Sequence, residues 1–249
     1  MKVLIVSKTH MNTGVCVGGI TFDGRFVRLL DNNGHNQSDD CPFKINEAYD
    51  ITFIEKQNPT PPHIEDILVQ SSKYVGRLKD DISMIDFITK RNVNICRGNI
   101  DNLFDKALKF TTNGSGYINS SKIPQNSVSF WIADKDLIKS IDSKGKVRYK
   151  YQTDDPWSSE IQIKYVGLQP TEDIIPKGTL LRVSLARWWS PNDVEVENRC
   201  YLQLSGWYKW HYKIFCVNVK YGIQYGFRIF YLIALQNEEN YEREESCSA

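Results

Sequence analysis

Apolar and polar positions alternate with a period of two over much of the chain, and the alternating runs are short. Residues 3–8, 15–21, 26–30 and 49–55 form such runs, separated by Asn12-Thr13-Gly14, Asp23-Gly24 and a polar loop at 31–40. Short runs punctuated by Gly, Asn and Asp predict the strands of a small barrel or sandwich. Pro59-Thr60-Pro61-Pro62-His63 closes the fourth run, and residues 64–69 predict a fifth strand.

The period then changes. Residues 80–91 place Ile82, Ile85, Phe87 and Ile88 at helical spacing behind two aspartates, which suit a helix N-terminus. Residues 99–110 place Ile100, Leu103, Phe104 and Leu108 similarly, and Thr111-Thr112-Asn113-Gly114-Ser115-Gly116 stops the pattern. Alternation returns at 128–133, 146–151, 161–166, 180–188 and 200–208. Five predicted strands precede the helical stretch and five follow it. The expected fold is therefore mainly β with a helical insertion, an α+β chain with two tandem five-stranded barrels. The expected boundaries are 1–70 for the first barrel, 71–125 for a helical connection, 126–208 for the second barrel and 209–249 for a C-terminal extension.

Composition narrows the class. The chain has 249 residues, 41% hydrophobic and 24% charged, which fits packed globular units and excludes wholesale disorder. A formal net charge of +1 supplies no global field towards nucleic acid or anionic lipid, so any such binding needs a local patch. Residues 1–8 carry too short an apolar run for a signal peptide and read as a first strand, while the apolar stretch 227–235 is about half a membrane span. Six cysteines without a CxxC pair predict reduced thiols and no zinc ribbon, and the expected location is cytoplasmic.

The segments Phe26-Val27-Arg28-Leu29-Leu30, Pro61-Pro62-His63-Ile64-Glu65-Asp66-Ile67-Leu68-Val69 and Arg199-Cys200-Tyr201-Leu202-Gln203-Leu204-Ser205-Gly206-Trp207-Tyr208 resemble the bacterial dual OB domain-containing proteins. The likeness runs from Met1 to about Tyr208 and stops before the tail. It implies two oligonucleotide/oligosaccharide-binding (OB) barrels, with nucleic acid as the default ligand class. It carries no catalytic or ligand residues onto this chain.

Candidate binding residues come from strand faces, because side chains two apart share a face. Lys146, Arg148 and Lys150 lie opposite Val147, Tyr149 and Tyr151, and Gln162 and Lys164 lie opposite Ile161, Ile163 and Tyr165. Arg182, Ser184, Ala186 and Trp188 share a face, as do Arg199, Tyr201, Gln203, Ser205 and Trp207. Cations for phosphates and flat rings for bases are what single-strand binders need. Arg148, Lys164, Arg182, Trp188, Arg199, Tyr201 and Trp207 are the expected nucleic-acid contacts; a solvated sheet face with gap-filling aromatics is the bland alternative. Trp131 and Trp157 read as packing residues.

Catalytic motifs are absent from the sequence: there is no HExxH, GxSxG, P-loop or GxGxxG. His35 in the polar loop and His63 beside Glu65 and Asp66 are the weak catalytic candidates, and no metal or cofactor is expected. The expected function is non-catalytic binding of single-stranded DNA or RNA. The rivals are a protein-interaction module, with the C-terminal extension as a route to a partner, and a hydrolase built on the His35 and His63 loops.

Overall fold

In the computed structural model, residues 1–78, 84–153, 160–190 and 197–208 are described. Trp157, His211, Ile82 and the whole tail 209–249 lie outside them.

The first five strands are β1 (Lys2–His10), β2 (Val15–Thr21), β3 (Phe26–Leu30), β4 (Glu47–Glu55) and β5 (Asp66–Arg77). They close into a barrel in the order β1-β2-β3-β5-β4, with β3 parallel to β5 and the other pairs antiparallel. Val3, Ile5, Val17, Leu29, Ile51 and Ile67 point inward and form its interior with Phe43 and Tyr49. The opposite face of β1 and β2 is also apolar, through Leu4, Val6 and Ile20, because it meets a second core. Burial on both faces explains why Val3 to Val6 reads as an uninterrupted apolar run.

The helical content expected between the barrels shrinks to one α-helix among the described residues, α1 (Met84–Thr89), whose Met84, Ile85, Phe87 and Ile88 are buried. Residues 99–110 do not form the expected helix. They make a 3-10 turn at Ile100–Asn102 and a second tight turn at Phe104–Lys106, with φ of 51°, 58° and 58° at Phe104, Asp105 and Lys106. Ile100, Leu103 and Phe104 are nonetheless buried, because tight turns bring positions i, i+3 and i+4 onto one side as a helix does. β5 runs on to Arg77, and three short strands also fall in this stretch: β6 (Ile95–Gly98), β7 (Lys109–Phe110) and β8 (Gly116–Ile118).

The remaining strands are β9 (Val128–Ala133), β10 (Leu137–Ile141), β11 (Val147–Tyr151), β12 (Ile161–Tyr165), β13 (Ile174–Ile175), β14 (Leu180–Leu185) and β15 (Cys200–Tyr208). They join one large sheet in the order β13-β10-β11-β12-β15-β14-β9-β6, with β8 on β15 and β7 on β8. β12 runs parallel to β15, and β9 is followed by β10 after three residues. Its inner face carries Trp131, Tyr149, Tyr151, Ile163, Leu181, Val183, Leu204 and Trp207.

The junction between the barrel and this sheet has its own core, in which Phe130, Ile132 and Leu180 from the sheet meet Leu4, Val6 and Ile20 from the barrel, with α1 packed alongside. Polar bonds cross it too. Ser127 donates its N–H and Oγ–H to the two oxygens of Glu65 at 2.6 and 3.0 Å, His10 N–H donates to Val166 O at 3.0 Å, and the Tyr208 hydroxyl donates to Val6 O. Burial raises the Glu65 carboxyl above its ordinary range, against the pull of those Ser127 donors.

Candidate nucleic-acid interface

The expected contacts divide into four groups once the strands are in register. Arg148 sits opposite Lys164 across β11 and β12, and Lys164 sits opposite Gln203 across β12 and β15. Adjacent strands lie about 4.8 Å apart, so these three side chains form a row on the outer face. Arg148 Nε donates to Asp142 at 2.9 Å, and Lys150 pairs with Glu160 at 2.7 Å. Lys164 is exposed and has no ion pair among the described residues.

Two residues along β15 the same face becomes aromatic. Tyr201 is in register with Tyr117 of β8, their ring centroids 6.0 Å apart, and Trp189 stands 6.1 Å from Tyr201 on the other side. Trp189 is 54% exposed. A pair of backbone hydrogen bonds between Trp189 and Arg199, 3.0 and 2.9 Å, fixes this arrangement. The Arg199 guanidinium lies 4.1 Å over the Tyr117 ring and 3.6 Å from Glu197. Cation and rings therefore occupy one patch, as the alternation of 199–203 predicts.

Arg182 and Trp207 are not on that surface. Trp207 is 3% exposed and packs with Tyr149 and Tyr165 at 5.6 and 5.3 Å. The cause is a bulge: Arg182 pairs with Gly206 and Val183 with Leu204, so Ser205 is an extra residue on β15. One extra residue reverses the facing of everything beyond it, turning Trp207 inward. Arg182 does point out of its own sheet, as alternation requires, but that face is covered by the barrel. Its guanidinium sits 5.4 Å from both Phe26 and Phe130, at 2% exposure, with Nη1 donating to Val183 O at 3.3 Å. Burial pulls its pKa below the usual arginine value. Gly18 makes the room, since a Cβ there would lie 3.2 Å from Arg182 Nη2 and 2.5 Å from Ser7 Oγ.

Trp188 is a clamp on the barrel: its indole Nε1–H donates to Pro61 O at 2.8 Å. The next contact along is one that strand patterns do not reveal. The Asp66 side chain, 1% exposed, receives Arg28 Nη2 at 2.7 Å, Lys56 Nζ at 3.2 Å and Arg187 Nη2 at 2.7 Å, all on Oδ2. Arg28 Nε approaches Oδ1 at 2.6 Å without hydrogen-bond alignment. The signal that could have found Asp66 is a charged residue opening an apolar strand directly opposite Arg28, with which it is in register.

The two histidines share no partner. His35 is exposed beside Asp31, with Nδ1 3.6 Å from its Oδ2. His63 is buried, its Nε2 lies 3.2 Å from Leu185 O, and its Nδ1 has no partner. No group of three His, Cys, Asp or Glu among the described residues is placed to hold a metal. Among the same residues no helix is long and apolar enough to cross a membrane.

Burial holds the His63 imidazole below its ordinary value of 6.5, and the Arg28 charge adds to this. A base that resists protonation in the fold but accepts it when unfolded makes stability fall as pH falls through about 6.5. Urea unfolding at pH 7.5, 6.5 and 5.5 is therefore expected to show a loss of up to roughly 1.4 kcal/mol per pH unit from this group. His63→Gln should flatten that component, and an unchanged slope in the variant would exclude His63 as its source. Glu65, with its raised carboxyl, contributes with the opposite sign, so the wild-type minus variant difference is the quantity to read.

No curated protein matches the sequence. A solved structure described as a murine DNA-binding protein bound with double-stranded DNA aligns with 82% of this chain and 88% of its own at 9% identity, with a TM-score of 0.30. The family profile of the dual OB-containing domain matches residues 1–207, which takes in the closed barrel, the junction and the large sheet up to Trp207. The chain belongs to the dual OB-containing domain family.

Proposed function

We propose that this protein binds single-stranded nucleic acid on the outer face of β11, β12 and β15, without catalysis. We also infer that β9 and β10 act as the two halves of one bent strand. The second sheet then follows the order of the first barrel, and β11 and β12 correspond to β2 and β3. In OB barrels that pair of strands forms the ligand face. On β2, Gly18 lies beneath Arg182, so the β2 part of the first barrel's equivalent face is taken up by packing. The second unit's face is open.

The observation that carries the reading is the continuity of the Arg148–Lys164–Gln203 row with the Trp189–Tyr201 ring pair. Most of its cations already have acidic neighbours, which predicts a shallow salt dependence, with a slope near −1 to −2. Fluorescence anisotropy with labelled oligo-dT and oligo-U at two salt concentrations tests it. Trp189→Ala is expected to weaken binding about tenfold through the lost stack. Lys164→Glu should weaken it by a similar factor and reduce the salt slope by about one. Binding that persists undiminished in both variants would place the interface elsewhere.

One observation favours a protein partner instead. Ile138 and Ile174 are register partners on β10 and β13, and both are exposed, as is Ile141. Salt-independent association abolished by Ile138→Lys would favour that reading.

A further inference from the structure

The geometry points to an anion site at Arg28, Lys56 and Arg187 that accepts a dianionic phosphate group, and we propose it as a binding site separate from the β11–β15 face. Each of these three cations makes its ion pair with the same acceptor, Asp66. Since all three reach Oδ2, their nitrogens lie within about 6 Å of one another, well inside the distance over which salt screens them. Among the described residues one carboxylate offsets one of the three charges, so two positive charges remain uncompensated there.

The carboxylate is sealed from solvent but the cations are not. Asp66 is 1% exposed, whereas the Lys56 and Arg187 side chains are 37% and 40% exposed and Arg28 is 17%. The outer side of the cluster therefore presents donors that no described residue takes up: the remaining ammonium hydrogens of Lys56 and the second guanidinium nitrogen of Arg187. The Arg187 guanidinium and the Lys56 ammonium, with the Arg28 charge beneath them on a fixed anchor, match the several oxygens of a phosphate. A dianion brings the charge that the cluster lacks. The anchor is rigid, because Arg28 and Asp66 are register partners on β3 and β5, and Trp188 pins the chain beside Arg187 to Pro61.

Inorganic phosphate is the probe. The full chain is expected to melt about 2–4 °C higher in tens of millimolar phosphate than in chloride of equal ionic strength. The Arg Nε–H resonances of Arg28 and Arg187 should shift in the same titration. Lys56→Gln with Arg187→Gln should lower phosphate affinity at least about tenfold. Lys56→Gln alone, which leaves both arginine pairs intact, serves if the double variant fails to fold and should lower it severalfold. Lys164→Glu should leave it unchanged, which separates this site from the proposed nucleic-acid face. Equal melting in phosphate and chloride, or an undiminished phosphate response in the Lys56 variants, would overturn the site. Displacement of phosphate by a 5′-phosphorylated oligonucleotide, but not by its unphosphorylated twin, would identify a strand end as the source of the group. Displacement by neither would identify the free ion.

Discussion

Asp66→Ala is expected to destabilise the fold by about 2–4 kcal/mol and to lower its melting temperature by about 5–15 °C. Removing one partner of a buried ion pair ordinarily costs about 3–5 kcal/mol, because the other charge is left desolvated and unpaired. Here three cations are left, but Lys56 and Arg187 can turn partly to water, which lowers the cost. The lost contacts tie β3 to β5 and both to Arg187 just beyond β14, so the damage spans the barrel and the junction. Raising the ionic strength should restore part of the loss by screening the three like charges. A melting temperature within about 2 °C of wild type would show that the cations relax without the carboxylate.

The second large effect separates a core residue from a surface one on the same sheet. Trp207→Ala should cost about 3–5 kcal/mol, because the indole fills the space between Tyr149 and Tyr165 and its deletion leaves a large cavity. The neighbouring loop should loosen as well, since the Gln169 side chain bonds both backbone groups of Trp207 at 2.9 and 3.1 Å. Trp189→Ala, at an exposed ring, should change stability by only about 0.5 kcal/mol. Chemical denaturation of the two variants side by side reads the contrast. Similar midpoints would mean that the inward placement of Trp207 is wrong.

The same pair of residues shows what the sequence could and could not reveal. Alternation placed Arg148, Lys164, Tyr201 and Gln203 on an outer face, because a strand of regular pleat has no other way to dispose them. It failed at Trp207 because a bulge leaves no mark in a hydrophobicity pattern, and Ser205-Gly206 looks like any polar pair. Arg182 was assigned to the correct side of its strand, but whether that side meets water depends on Gly18 and Phe26 of a barrel far earlier in the chain. Its one local hint was on the other partner: Gly18 and Gly19 thin out β2 where Arg182 and Val3 approach. The 99–110 segment misled for a different reason. Its apolar spacing records which side is buried, and two tight turns satisfy that record as well as three turns of helix. The strands β6, β7, β8 and β13 are two to four residues long, too short to show a period. The resemblance over Met1 to about Tyr208, by contrast, agrees with the family match over residues 1–207.

The covering of Gly18 by Arg182 also bears on how the chain should behave as a polyvalent object. Proteins with two linked binding modules gain avidity, because the second contact is made at a high effective concentration. Under the proposed single-strand reading, a tandem in which the β2 part of one module's face is spent on its neighbour forgoes that gain between the two faces, and the pair offers one strand-binding face. On that reading, affinity for an unphosphorylated strand should plateau once the strand fills that face, and tethering two copies of the whole chain, rather than lengthening the strand, becomes the way to raise it.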